Sequence, residues 1–91
     1  MTITMYYVYI AECADATYYT GYTVDIESRA RTHNEGKGAK YTRSRLPVKI
    51  VYTEAFASKS DAMKREAAIK RMSRSEKTML IAAWRQTGHR C

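Results

Sequence analysis

The chain has 91 residues, enough for one hydrophobic core, and its single proline leaves no linker-like stretch, so one domain over 1–91 is expected. Hydrophobic residues make up 45% and charged residues 27%, which argues against a disordered tail. Sixteen Lys+Arg against nine Asp+Glu give +7, a field that recruits polyanions such as nucleic acid or an acidic membrane surface, although many basic proteins have no catalytic purpose.

No run of about 18 apolar residues exists, and Met1-Thr-Ile-Thr-Met5 lacks a basic region followed by an apolar one; a cytoplasmic protein with no membrane partner is expected. Cys13 and Cys91 lack the paired spacing of a zinc site and read as plain thiols.

In chain order, Met5-Tyr-Tyr-Val-Tyr-Ile-Ala11 is dense in β-formers. After Cys13-Ala14-Asp15 a second such stretch follows, Thr17-Tyr-Tyr-Thr-Gly-Tyr-Thr23, so a β-hairpin is expected. Strand side chains alternate faces, so Tyr7 and Tyr9 share one side of the first strand and Tyr19 and Gly21 one side of the second; a three-residue loop sets Tyr9 directly across from Tyr19. Ala16 holds a turn position where glycine would be easier. Asp25 can cap a helix in which Ile26, Arg29, Ala30 and His33 recur at helical spacing, and Gly36 can close it. The segment up to Lys49 carries five cations, Lys37, Lys40, Arg43, Arg45 and Lys49, with Tyr41 and no acid, and reads as a loop.

Val48 to Phe56 reads as a third strand. Ser58 with Asp61 and Ser73 with Glu76 are capping-box signatures for helices over about 58–72 and about 74–87, with Gly88 beyond the second. The layout is ββαβαα, with a core over about 5–81 and a short polar tail.

A wheel at about 100° per residue puts Ala62, Met63, Ala67, Ile69 and Met72 on one broad apolar arc with Glu66 in its middle. A buried carboxylate needs a partner, because leaving it bare costs several kcal/mol. A structural ion pair with Arg29 and a bound metal both fit. Arg29 itself reads as an ion-pair partner or a phosphate clamp. His33 is either an exposed helix-end residue or a proton carrier. Tyr9 and Tyr19, taken singly, are ordinary packed strand residues. The basic segment is either a solvated loop or a nucleic-acid surface, with Lys37, Lys40, Arg43, Arg45 and Lys49 on phosphates and Tyr41 offering a stacking surface. Arg74, Lys77, Arg85 and Arg90 would extend it, and Trp84 reads as core.

The joint spacing resembles the GIY-YIG nuclease domains, in particular the small stand-alone, UPF0213-like members. Tyr7-Val8-Tyr9 stands where the family has its first tripeptide and Tyr19-Thr20-Gly21 where it has the second. Arg29 follows ten residues after Tyr19, His33 one turn later, and Glu66 sits in the helix after the third strand. The first tripeptide lacks its glycine, Thr20 replaces the central residue of the second, and no asparagine follows Glu66. The resemblance covers about Met5 to Ile81 and implies an α+β fold, a three-stranded antiparallel sheet flanked by helices. It further implies phosphodiester hydrolysis with one divalent ion, Mg²⁺ or Mn²⁺. The matching glutamate, Glu66, would bind the metal and Arg29 would neutralise the scissile phosphate. One of Tyr9 and Tyr19 would help activate water, with His33 relaying the proton. Mg²⁺ commonly takes only one or two carboxylates, so a lone Glu66 suffices.

The reading is therefore a metal-dependent endonuclease acting on DNA, in repair or recombination. With no added DNA-reading domain, it selects by backbone or structure rather than by sequence. The alternative is a non-catalytic nucleic-acid-binding module on the same scaffold. RNA is the other polymer it would take, no obligate protein partner is inferable, and a membrane or protein-partner role rests on charge alone.

Overall fold

The computed structural model describes residues 4–86. Gly88, Arg90 and Cys91, named above, lie outside the described residues. The elements are β1 (Tyr6–Glu12), β2 (Tyr18–Thr23), α1 (Ile26–Asn34), α2 (Lys40–Arg43), β3 (Lys49–Phe56), α3 (Lys59–Lys70) and α4 (Arg74–Gln86). The strands form an antiparallel sheet in the order β2-β1-β3, as the α+β reading expects. The addition is α2, inside the segment read as a loop. This single turn is held by Thr42, whose backbone N and Oγ1 both donate to the Ala39 carbonyl, at 3.1 and 2.9 Å.

The hairpin register differs from the expected one. Cys13 N donates to Thr17 O at 2.8 Å, so the loop is Ala14-Asp15-Ala16 and starts one residue later than expected. Moving the loop centre by one residue moves the pairing by two: Tyr9 lies opposite Gly21, and Tyr19 opposite Ala11. Tyr9 and Tyr19 are thus diagonal neighbours on one face. Asp15 fixes the turn by accepting from Thr17 N at 3.2 Å and Thr17 Oγ1 at 2.6 Å. Ala16 takes φ 66°, the left-handed conformation that costs an alanine more than a glycine.

Asp25 caps α1 by accepting from Ser28 N at 3.1 Å. The helix closes on Gly36 at φ 76°, with Gly36 N bonded to His33 O and Lys37 N to Thr32 O, each at 3.0 Å. This is the pair of bonds that satisfies the orphan carbonyls of a helix end. At α4, Ser73 and Glu76 bond reciprocally, at 3.1 and 2.9 Å. Asp61 is too short for the return bond at α3, where only Asp61 N to Ser58 Oγ forms, at 3.3 Å.

The core lies between the sheet and the last two helices. Val8, Ile10 and Tyr52 pack against Ala62 and Ile69 of α3 and Ile81 of α4. The apolar arc expected on α3 is narrower than the wheel suggests. Met63 is 47% exposed and Ala67 is exposed, leaving Ala62 and Ile69 as the buried positions. Glu66 lies about 40° round the wheel from Ala62, at the border of the buried face rather than at its middle. Among the described residues, no helix is long and apolar enough to cross a membrane.

Candidate active site

Tyr9 is the largest fully buried side chain, with no exposed surface. Its ring lies over its strand partner Gly21, where an added Cβ would sit 2.7 Å from the Tyr9 hydroxyl and 3.2 Å from the Tyr19 ring. The glycine is therefore required by close approach, not by backbone angle. Tyr19, half-buried, meets Tyr9 edge-on with ring centroids 6.3 Å apart.

His33 comes down from the last turn of α1 onto this pair. Only 1% exposed, it is not the solvated helix-end residue that was one of the two readings. Its Nε2 lies 2.9 Å from the Tyr9 hydroxyl and its Nδ1 lies 2.9 Å from Thr42 Oγ1. Thr42 spends its one hydroxyl proton on the Ala39 carbonyl, which can only accept. Toward His33 the threonine oxygen must then accept, which puts the imidazole proton on Nδ1 and leaves Nε2 with a lone pair. Tyr9 donates to that lone pair. The row Tyr9, His33, Thr42, Ala39 carbonyl thus has a fixed direction. Gly38 makes room for it: a Cβ there would come within 2.9 Å of His33 Cγ and Cε1.

Arg29, one turn before His33, is half-buried, and its Nε is buried without a hydrogen-bond partner. Burial pushes the Tyr9 phenol up to about 12; the Arg29 charge and hydrogen bond pull the other way without prevailing. Burial, and then the Arg29 charge, holds His33 below its ordinary value. The protein thus keeps a neutral phenol donating to a neutral imidazole.

Glu66, on α3, is near enough for its charge to add a small upward push on Tyr9. Its side chain is 17% exposed, and its ion-pair partner is Lys70, one turn on at 3.7 Å. The Arg29–Glu66 ion pair that sequence left open does not form among the described residues. No group of three or more His, Cys, Asp or Glu stands ready for a metal among them either.

The basic segment divides. Lys37, Lys40, Arg43 and Lys49 are exposed, whereas Arg45 is half-buried and pairs with Asp15 at 3.0 Å. Tyr41 keeps 39% of its surface exposed and has two ring neighbours. The Arg45 guanidinium lies 4.0 Å from its centroid, and the Tyr19 ring lies near-parallel to it with centroids 6.3 Å apart. Cys13 is buried beside Ala11 and Val48, and burial raises its thiol, as a plain structural cysteine requires.

Sequence reasoning missed Thr42 and Gly38, both set against His33. Nothing in their residue types marks them; only a Thr nine residues after a histidine, across a glycine-closed helix end, hints at the contact.

A model of the GIY-YIG catalytic domain matches residues 5–79. The chain belongs to the GIY-YIG catalytic domain family. This is a nuclease family, and a nucleic-acid substrate is what membership implies. Among the relatives of this GIY-YIG chain, a UPF0213 protein of Halobacterium salinarum is 57% identical over 77 residues, covering 85% of this chain and 100% of that one. A UPF0213 protein of Syntrophus aciditrophicus is 62% identical over 76 residues, covering 82% and 87%. Two solution NMR structures resemble the fold. One is a UPF0213 protein from Bacillus halodurans, with TM-score 0.58 and 49% identity, covering 87% of this chain and 84% of that chain. The other is a protein from E. faecalis, with TM-score 0.62 and 38% identity, covering 96% and 93%.

Proposed function

We propose that this domain hydrolyses phosphodiester bonds in DNA with one divalent ion, Mg²⁺ or Mn²⁺, selecting its target by backbone or structure rather than by sequence. The observation that carries this reading is the buried Tyr9–His33 contact of 2.9 Å, whose direction leaves Nε2 unprotonated and accepting from Tyr9, with Arg29 alongside. Glu66 supports the metal: it offers hard carboxylate oxygens and, among the described residues, has no arginine partner and is engaged only by Lys70 at 3.7 Å. An ion there would polarise the phosphate and make a bound water more acidic.

The chain's own residues divide the remaining work. A phenol at about 12 does not ionise by itself at neutral pH. It can receive a proton from water only while passing its own to His33, which ends as the imidazolium. Arg29, whose Nε has no hydrogen-bond partner among the described residues, takes a phosphate oxygen. Tyr19 keeps the Tyr9 ring in place, and the exposed Lys37, Lys40 and Arg43 hold the neighbouring backbone.

Nicking of supercoiled plasmid and branched oligonucleotides with Mg²⁺ or Mn²⁺ tests the reading. Glu66→Gln is expected to slow cleavage by at least about 100-fold while leaving binding in place. A second reading, a non-catalytic binding module, is favoured by Lys70 occupying Glu66. It prevails if the parent protein binds DNA but cuts none of these substrates, or if Glu66→Gln cuts as well as the parent.

A further inference from the structure

Two hollows are lined by residues of β2, one of the two edge strands of the sheet. One, of about 220 Å³, is walled by Tyr18, Tyr19 and Tyr41 together with Lys70 and Lys77. It continues past Tyr18 and Lys77 into a second, of about 260 Å³, that adds Arg74. Three cations from α3 and α4 and three tyrosines therefore line these two hollows. Each hollow falls below the roughly 300–1,000 Å³ of pockets that engulf a whole small molecule, which suits one fragment of a chain at a time.

The groups here have needs the fold leaves unmet. Lys77 makes no ion pair among the described residues, and burial together with the Lys70 charge disfavours its protonated form. Thr20 also lines the first hollow, with a buried hydroxyl that has no hydrogen-bond partner. An anion between the two lysines would relieve the first. Arg74 is already posed over the Tyr18 ring, 4.9 Å from its centroid, and anchored to the Ala16 carbonyl at 2.5 Å.

We propose that this channel is a track for an unpaired DNA strand, with Lys70 and Lys77 taking a phosphate and the tyrosine-lined wall taking the bases attached to it. The alternation of cations and rings is the chemistry that holds single strands without reading their sequence. A duplex, whose bases are stacked inside, offers nothing to the rings. The track shares Tyr19 with the candidate active site, and Lys70 bridges to Glu66. Its role as the approach to the cleaved bond rests on the nuclease reading above; strand binding does not.

The test is binding of a fluorescent oligothymidylate, followed by anisotropy in EDTA over a salt series, with a duplex of equal length alongside. The double variant Lys70→Gln, Lys77→Gln is compared with Lys59→Gln, Lys64→Gln, which removes the same charge from the exposed side of α3. The first pair is expected to weaken single-strand binding about tenfold and to flatten the log–log salt slope by about 0.7 per phosphate lost. Duplex binding should change no more than in the control pair. Equal losses in the two pairs, or equal losses on duplex and single strand, overturn the track. So does a parent protein that binds the duplex but not the oligothymidylate, even if it nicks plasmid. If the track variants lose strand binding but the parent cuts nothing, the nuclease reading falls and the track stands.

Discussion

One hydroxyl, that of Thr42, decides which nitrogen of His33 faces Tyr9. Replacing it with the isosteric Thr42→Val keeps the volume, removes the acceptor, and strands a buried N–H, a loss of about 1–3 kcal/mol. With the tautomer no longer fixed, cleavage is expected to fall about 10- to 100-fold, the range seen when a positioning partner is lost. Nicking rates and the His33 ring-nitrogen NMR shifts check it; an unchanged rate with an unchanged Nδ1–H signal would sink the directional reading. At this scale the sequence is only partly legible. Arg29, His33 and Glu66 draw notice because charged or titratable groups stand at helical spacing beside apolar ones. Thr42 and Gly38 stay hidden, since a threonine and a glycine in a basic segment look like loop residues until the fold sets them on an imidazole.

Among elements, the β1–β2 hairpin shows how little separates a right register from a wrong one. Alternation correctly puts Tyr9, Tyr19 and Gly21 on one face, because period two survives a shift of two residues. The partner of Tyr9 depends instead on where the turn closes, and that is set by Asp15 and left-handed Ala16, whose conformation no hydrophobic pattern reports. Gly21→Ala therefore tests the observed register. With Tyr9 opposite, a Cβ at 2.7 Å from its hydroxyl must displace the ring. We expect a loss of about 1–3 kcal/mol in urea unfolding and weakened contact between Tyr9 and His33. A variant as stable as the parent would contradict this packing. Capping was legible to within a residue or two, because Asp25, Ser58 and Ser73 act on their own first turns. The single turn of α2 was not, because it depends on a side chain buried by another element.

Across the whole molecule, the two buried titratable groups of the site bracket the pH range of stability. His33 is held neutral, so the unfolded chain takes up a proton near pH 6.5 that the native state refuses. Its contribution is present above about pH 6.5 and is lost as acidification proceeds toward its lower folded value. Tyr9 acts at the other end. Its phenol, moved from 10.0 to about 12, stays protonated where the unfolded chain ionises. That contribution, on the order of 2 kcal/mol, is present below about pH 10 and is lost between about 10 and 12. Urea midpoints measured across pH should fall on both sides of a plateau, and Tyr9→Phe should make the alkaline fall shallower. Identical alkaline limbs in parent and variant would refute the assignment.

The row of hydrogen bonds from Tyr9 through His33 and Thr42 ends at the Ala39 carbonyl, which can neither accept a proton permanently nor hand one on. It is a cul-de-sac rather than a conduit. In the proposed reaction a proton delivered to His33 would be stored there, shielded from bulk solvent, and would leave only by the door it entered. Every turnover of that reaction would therefore withdraw and redeposit at the same oxygen, and readiness for a second cut would depend on Tyr9 being made whole by the first.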